Sequence, residues 1–179
     1  MKTLPDYLGP GLEIVSIGIN PSVYSVERGF NFARPGNRFW PALNASGLVS
    51  ERLEPSREAV QRLFRRHRIG FTDLVKRATA RADDLTAADY ARGARLLERK
   101  LRRHRPAIAW FQGVSAYRTF LAHLGTPRAK IAAGLQRERI GTTRVFVTPN
   151  PSGANPAANL DQLIPLYRRL ARLRASLAA

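Results

Sequence analysis

The chain has 179 residues, 44% hydrophobic and 24% charged, the balance of an ordinary globular protein long enough to bury a real core. The absence of cysteine excludes disulfides, a thiolate nucleophile and iron-sulfur clusters, and His67, His104 and His123 are too scattered to hold a metal, so neither metal nor cofactor is expected. The net charge of +17 favours a polyanion, because cations placed on phosphates release condensed counterions; the bland alternative is an arginine-rich surface that is merely solvated.

Residues 1–12 read as an extended lead-in with Pro5, Gly9, Pro10 and Gly11. The apolar run Ile14 to Ile19 then stops abruptly at Asn20-Pro21-Ser22, the pattern of a buried strand. A polar loop with Phe30 and Phe32 follows, and Asn37 is positioned to start a helix through Phe39 and Leu43 that stops at Gly47. A second helix is predicted from about Ser56, with Val60, Leu63 and Phe64 on one face and the cations Arg65, Arg66, His67 and Arg68 at its end. Ile69 to Val75 is a short apolar run, with a loop from Lys76 to Asp84.

Thr86 and Asp89 have capping-box spacing and open a long helix with Tyr90, Ala94, Leu97 and Leu101 on its buried stripe. Ala107 to Phe111 is the next strand, and Gly113 turns the chain into a helix carrying Tyr117, Phe120, Leu121 and Leu124. Gly125 to Arg139 reads as a polar, basic connector, and Thr143 to Thr148 as another strand. Pro149 to Pro156 is a Pro-rich loop, and the last helix runs from about Asn159 to Leu177. Strands alternating with helices imply an α/β protein with a parallel sheet covered on both faces. With no linker or repeat, residues 1–179 are read as one domain. No apolar run approaches the roughly 20 residues that span a bilayer, and Met1 to Asp6 shows no signal-peptide core. The expectation is a cytoplasmic monomer with no membrane partner.

In an open parallel sheet, ligands bind in the crevice beyond the strand ends. Asn20 would stand at that lip, held by Pro21. A rigid polar tip, a loop with aromatic rings and a basic surround suit a flat, uncharged ring delivered by a polyanion. Three motifs sharpen this: Gly18-Ile19-Asn20-Pro21, Asn37-Arg38-Phe39-Trp40 and Asn150-Pro151-Ser152-Gly153. Together, and in this order, they resemble the mismatch-specific uracil-DNA glycosylases and their thymine-DNA glycosylase relatives, over roughly Leu8 to Leu173.

The resemblance implies a three-layer α/β/α sandwich of the uracil-DNA glycosylase type. It also implies hydrolysis of the N-glycosidic bond of uracil in DNA, with the base flipped out of the stack. Asn20 would position the attacking water through its side-chain carbonyl; the alternative is an Asn that only caps a turn. Phe32 matches the ring that stacks on the flipped base, against the alternative of core packing. Backbone groups of Ile19 and Phe32 would bind the base edges, and Ser25 would stand beside the place of a thymine methyl. Tyr24 is bulkier than many residues found in that loop.

Asp73 departs from the pattern, because some family members carry a lysine or an amide in this Thr-x-Leu-Val segment. Two readings stand open: a carboxylate that orients or activates the water or stabilises the cationic sugar, or a loop residue paired with Lys76 or Arg77. Asn150, Ser152 and Gly153 resemble the loop that enters the DNA where the base has left. The family places a leucine after this glycine as a wedge; here Ala154 stands there, followed by Asn155 and Pro156. A methyl is a poor wedge, which bears on mismatch reading. Lys76 is expected at a phosphate. No lysine occupies a nucleophile's position, so hydrolysis without strand cleavage is expected, leaving an abasic site. The expected partner is uracil-containing DNA, as G·U mismatched duplex and as single strand. Two other readings are a non-catalytic nucleic-acid-binding module on the same scaffold, and a nucleoside hydrolase, which would not need this charge.

Overall fold

The computed structural model describes residues 3–178. Five strands form one sheet: β1 (Ile14–Gly18), β2 (Ile69–Asp73), β3 (Ile108–Gln112), β4 (Gly134–Ile140) and β5 (Thr143–Thr148). Their order is β2-β1-β3-β5-β4. All pair in parallel except β4, which runs antiparallel along β5. The helices among the described residues are α1 (Val23–Arg28), α2 (Phe39–Asn44), α3 (Arg57–Arg65), α4 (Ala87–His104), α5 (Val114–His123) and α6 (Leu160–Ala178), with a 3-10 turn at Ala82–Asp84.

Alternation along β1 divides the core in two. Ile14 faces α2, α3 and α6, where Phe39, Trp40, Leu63 and Tyr167 pack with Trp110 and Phe146. Val15 and Ile17 face α4 and α5, where Leu97, Leu101, Tyr117 and Phe120 pack with Phe111 and Val147. Strands buried on both faces are mostly apolar, and the result is the expected three-layer α/β/α sandwich. No described helix is long and apolar enough to cross a membrane.

Three local predictions need correction. The polar loop after Pro21 contains α1, capped by Ser22, whose hydroxyl accepts from Ser25 N at 3.1 Å, and closed by Gly29 at φ 77°. The basic connector Gly125 to Arg139 contains most of β4, an edge strand whose exposed Leu135, Arg137 and Arg139 alternate with half-buried Gln136 and Glu138. Ile69 to Val75 leaves the sheet at Asp73, two residues before its apolar run ends.

β1 is flanked by β2 on one side and β3 on the other, so the strand order reverses beside it. Such a switch point opens a crevice at the carboxyl ends of the strands. A cleft of about 570 Å³ lies there, walled by the ends of β1, β2, β3 and the loop after β5.

Candidate active site

The cleft gathers the residues singled out by the motifs. Ile19, Asn20, Ser25, Phe32, Asp73, Asn150, Ser152 and Ala154 all line it, although they lie on five separate segments. Its floor is a buried polar network centred on Gln112. The Gln112 amide donates to Ser16 Oγ at 3.2 Å, and its carbonyl accepts from Thr148 and Tyr167, each at 3.2 Å. With its polar atoms paired, this floor is rigid.

Asn20 follows β1 directly, and its orientation is fixed by chemistry. Its Nδ2 lies 2.9 Å from the carbonyl of Arg77 and 2.7 Å from Thr79 Oγ1. The carbonyl can only accept, and Thr79 gives its own proton to the carbonyl of Arg81 at 2.6 Å. Both partners therefore require the NH₂ group of Asn20, which leaves Oδ1 as the atom this side chain has to offer. Thr79 itself is tied to the segment after Asn20, its N–H donating to Pro21 O at 3.4 Å.

Phe32 is aimed by strain and stacking. Its φ of 57° is unusual outside glycine, and Trp40 Nε1 donates to its carbonyl at 3.1 Å. One ring face lies on Phe39, centroids 4.1 Å apart and planes 13° from parallel. The ring is half-buried and lines the cleft, a platform for a second flat ring. Ser25 is buried in the wall beside it, accepting from Ser22 Oγ at 3.1 Å and from Ala33 N at 3.4 Å. Tyr24 is outside the lining, with the Arg28 guanidinium 5.2 Å from its ring centre.

Asp73 ends β2 beside Gly18 of β1. The pairing needs glycine: a Cβ on Gly18 would sit 2.6 Å from Asp73 Oδ1. The carboxyl is 6% exposed, and Oδ2 has no hydrogen-bond partner. Lys76 Nζ is 3.7 Å from Oδ2, within ion-pair range but beyond a hydrogen bond. Burial pushes the carboxyl from its ordinary 3.8 up to about 6; Lys76 and Lys100 oppose that rise, and the negative charge of Asp6 adds to it. An acid poised near neutrality in a cleft is what general acid–base chemistry needs.

Lys76, expected at a phosphate, turns inward. Its ammonium donates to Leu4 O at 2.7 Å and to Asp6 Oδ1 at 2.9 Å. Exposed cations at the cleft rim are instead Arg34 and Arg81. The loop after β5 is built on the loop before α2. Arg38 donates to the carbonyls of Ser152 and Asn155, both at 3.0 Å, and Arg38 N to Pro151 O at 2.9 Å. Asn150 Oδ1 accepts from Ser152 N at 3.0 Å, so this side chain shapes the loop. A Cβ on Gly153 would lie 2.9 Å from Gly36 O, so glycine permits the two loops to touch. Ala154 is exposed on the loop.

Sequence reasoning missed Thr79, Asp6 and Asn31. Asn31, 7% exposed, lines the cleft with Oδ1 unpartnered; its position between two aromatic residues was the available signal. Asp6 and Thr79 carried none, since each acts through a residue far away in the chain.

A doubly wound sheet with a cleft at its switch point, lined by an anchored amide and a stacked aromatic ring, sets this chain among the α/β proteins with a ligand-sized crevice at the strand ends. Residues 5–171 match the family model of the uracil DNA glycosylase superfamily, and the chain belongs to that superfamily. Among solved structures, it is similar in fold to a protein from Methanosarcina acetivorans, provisionally described as a uracil DNA glycosylase and determined in solution. The TM-score is 0.58 at 21% identity, with 94% of this chain and 97% of that one covered.

Proposed function

We propose that this chain is a monofunctional DNA glycosylase that hydrolyses the N-glycosidic bond of uracil, with G·U mismatches as the favoured context. The observation that supports this reading is Asn20: its amide NH₂ is tied by two acceptors, which leaves Oδ1 as the acceptor that this side chain offers in the cleft it lines together with Phe32.

The reaction begins with a uracil nucleotide leaving the stack and its ring settling on Phe32. Water approaches the anomeric carbon, held by a hydrogen bond to Asn20 Oδ1. An amide has no useful basicity, so Asn20 orients the water but does not deprotonate it. Asp73, ionised above about pH 6, takes the proton as the oxygen–carbon bond forms and the carbon–nitrogen bond breaks. The electron pair leaves with uracil, whose anion is delocalised over two carbonyls. Backbone groups of Ile19 and Phe32 stand at the base edges, and Ser25 stands beside the position a thymine methyl would take. The Asn150 to Ala154 loop meets the DNA where the base has left. The +17 charge supplies the attraction for the phosphate backbone, and an abasic site remains.

The test uses end-labelled DNA with one uracil, presented as G·U, as A·U and as single strand, then alkali to cut abasic sites. Wild type is expected to act on G·U most rapidly, and Asn20→Ala to lose nearly all activity in each context. Binding of all three substrates without any alkali-labile product would overturn the reading in favour of a non-catalytic binding module.

A further inference from the structure

The N-terminal segment is part of the site's electrostatics. Tyr7 pairs with Phe71 of β2 through N–H···O bonds of 2.9 and 3.1 Å, which lays the segment along the outer edge of the sheet. Thr3 Oγ1 donates to Lys76 O at 2.6 Å, and Leu4 is buried. This docking brings Asp6 between two lysines. Its Oδ1 accepts from Lys76 Nζ at 2.9 Å and from Thr72 Oγ1 at 2.8 Å, and its Oδ2 lies 2.7 Å from Lys100 Nζ of α4. All three charged side chains are about one quarter exposed.

Lys76 has three protons to give. Leu4 O and Asp6 Oδ1 take two in short bonds, and Asp73 Oδ2 is left at 3.7 Å. The groups acting on Asp73 are thus Lys76 from the loop after β2, Asp6 from the N-terminal segment and Lys100 from α4, while β1 presents the uncharged Gly18. Arg81 and Asp83 line the same cleft, but their ion pair of 3.3 Å is highly exposed and screened.

We propose that Asp6 is a positioning residue for Asp73: by engaging Lys76 and Lys100 it prevents a tight ion pair on Asp73 and keeps that carboxylate able to accept the proton of the attacking water. This rests on the reading of Asp73 as the base. A carboxylate in a close lysine pair is a weaker base, because the ion pair stabilises its charged form. An Asp73 without nearby lysines would stay protonated at neutral pH, because burial disfavours its charge. Asp6 sets the balance between the two, since it holds Lys76 near Asp73 without hydrogen-bonding distance. Burial alone would raise the Asp6 carboxyl, but the hydrogen bonds from Lys100 and Lys76 bring it below its ordinary value, so it stays charged across the working range.

The experiment measures single-turnover excision of uracil from a G·U duplex against pH, at saturating enzyme, for wild type, Asp73→Asn, Asp6→Asn and Lys76→Met. The acidic limb of the wild-type profile is expected to vanish in Asp73→Asn. It should move to lower pH by about one unit in Asp6→Asn, which frees Lys76 for Asp73, and to higher pH by a similar amount in Lys76→Met. Carbon-13 titration of the Asp73 carboxyl, assigned by its loss in Asp73→Asn, reads the same shifts without catalysis. A merely structural Asp6 would lower stability and leave both readouts in place. Unmoved or equally signed shifts in the two variants would overturn the proposal. Should Asp6→Asn not fold, Lys76→Met and Lys100→Met must both move the Asp73 titration upward, and failure to do so overturns it. An acidic limb that persists in Asp73→Asn, with carboxyl shifts of opposite sign intact, would remove the base assignment, and with it the catalytic part of the proposal, while leaving the charge arrangement standing.

Discussion

Asp73→Asn is predicted to gain stability relative to wild type as pH rises from about 4.5 to about 7.5, while it slows catalysis. Burial, opposed by Lys76 and reinforced by Asp6, raises this carboxyl from 3.8 to about 6. In the unfolded chain it returns to water and to its ordinary value. Below the unfolded value both states hold the proton, and the group has no effect on stability. As pH rises through the window between the two values, the unfolded state loses a proton that the native state keeps, so stability falls; above the window the deficit is constant. At about 1.4 kcal/mol per pH unit, the full deficit is roughly 3 kcal/mol. Asparagine has the same shape and no charge to desolvate. Its amide adds hydrogen-bonding demands of its own, a pH-independent offset of about 1–3 kcal/mol in either direction. Urea unfolding followed by tryptophan fluorescence gives the stability of both proteins. The variant's stability relative to wild type should rise by about 2 kcal/mol from about pH 4.5 to about pH 7.5. A relative stability that does not change over that range would mean that Asp73 titrates like a solvated carboxylate, and the burial argument would fail.

Other predictions follow from the same contacts. Thr79→Val removes one acceptor that orients the Asn20 amide, and is expected to lower the single-turnover rate about tenfold or more, with substrate affinity by titration nearly unchanged. Gly18→Ala forces a methyl against Asp73 Oδ1; it should lower both thermal stability and excision, and normal values of both would contradict the tight β1–β2 register. Phe32→Ala should weaken capture of the flipped base by about 1–3 kcal/mol, read as a rise in KM for single-stranded substrate. Ala154→Leu should tighten binding to duplex with an abasic site and slow multiple turnover, measured by gel shift and by the ratio of burst to steady-state rate.

The architecture was legible wherever burial wrote a long apolar signal. Ile14 to Ile17 and Ile108 to Phe111 are buried on both faces, so the apolar runs that contain them announce strands, and the capping box of Thr86 and Asp89 announces α4. β4 was not legible, because Gln136, Arg137, Glu138 and Arg139 lie on an edge that demands no apolar face. α1 has six residues, too few for a period to show. The place of Asn20 at the lip of the cleft was legible because a strand ended at an Asn-Pro step. The state of Asp73 was not: it depends on Asp6, 67 positions earlier in the chain, and on Lys100 from another helix. Lys76 shows the same limit, since a cation beside a site reads as a phosphate contact until its ammonium is found on Leu4 and Asp6.

The central claim is hydrolytic release of the base, and mass spectrometry of the reaction mixture without alkali, with a parallel sample reduced by borohydride, tests it most directly. Wild-type protein incubated with a uracil-containing G·U duplex should yield free uracil and a full-length strand carrying an abasic sugar, with no protein–DNA adduct after borohydride. An unchanged strand in the presence of folded, DNA-bound protein would contradict the claim of catalysis, and a cleaved strand or a trapped adduct would contradict the hydrolytic mechanism.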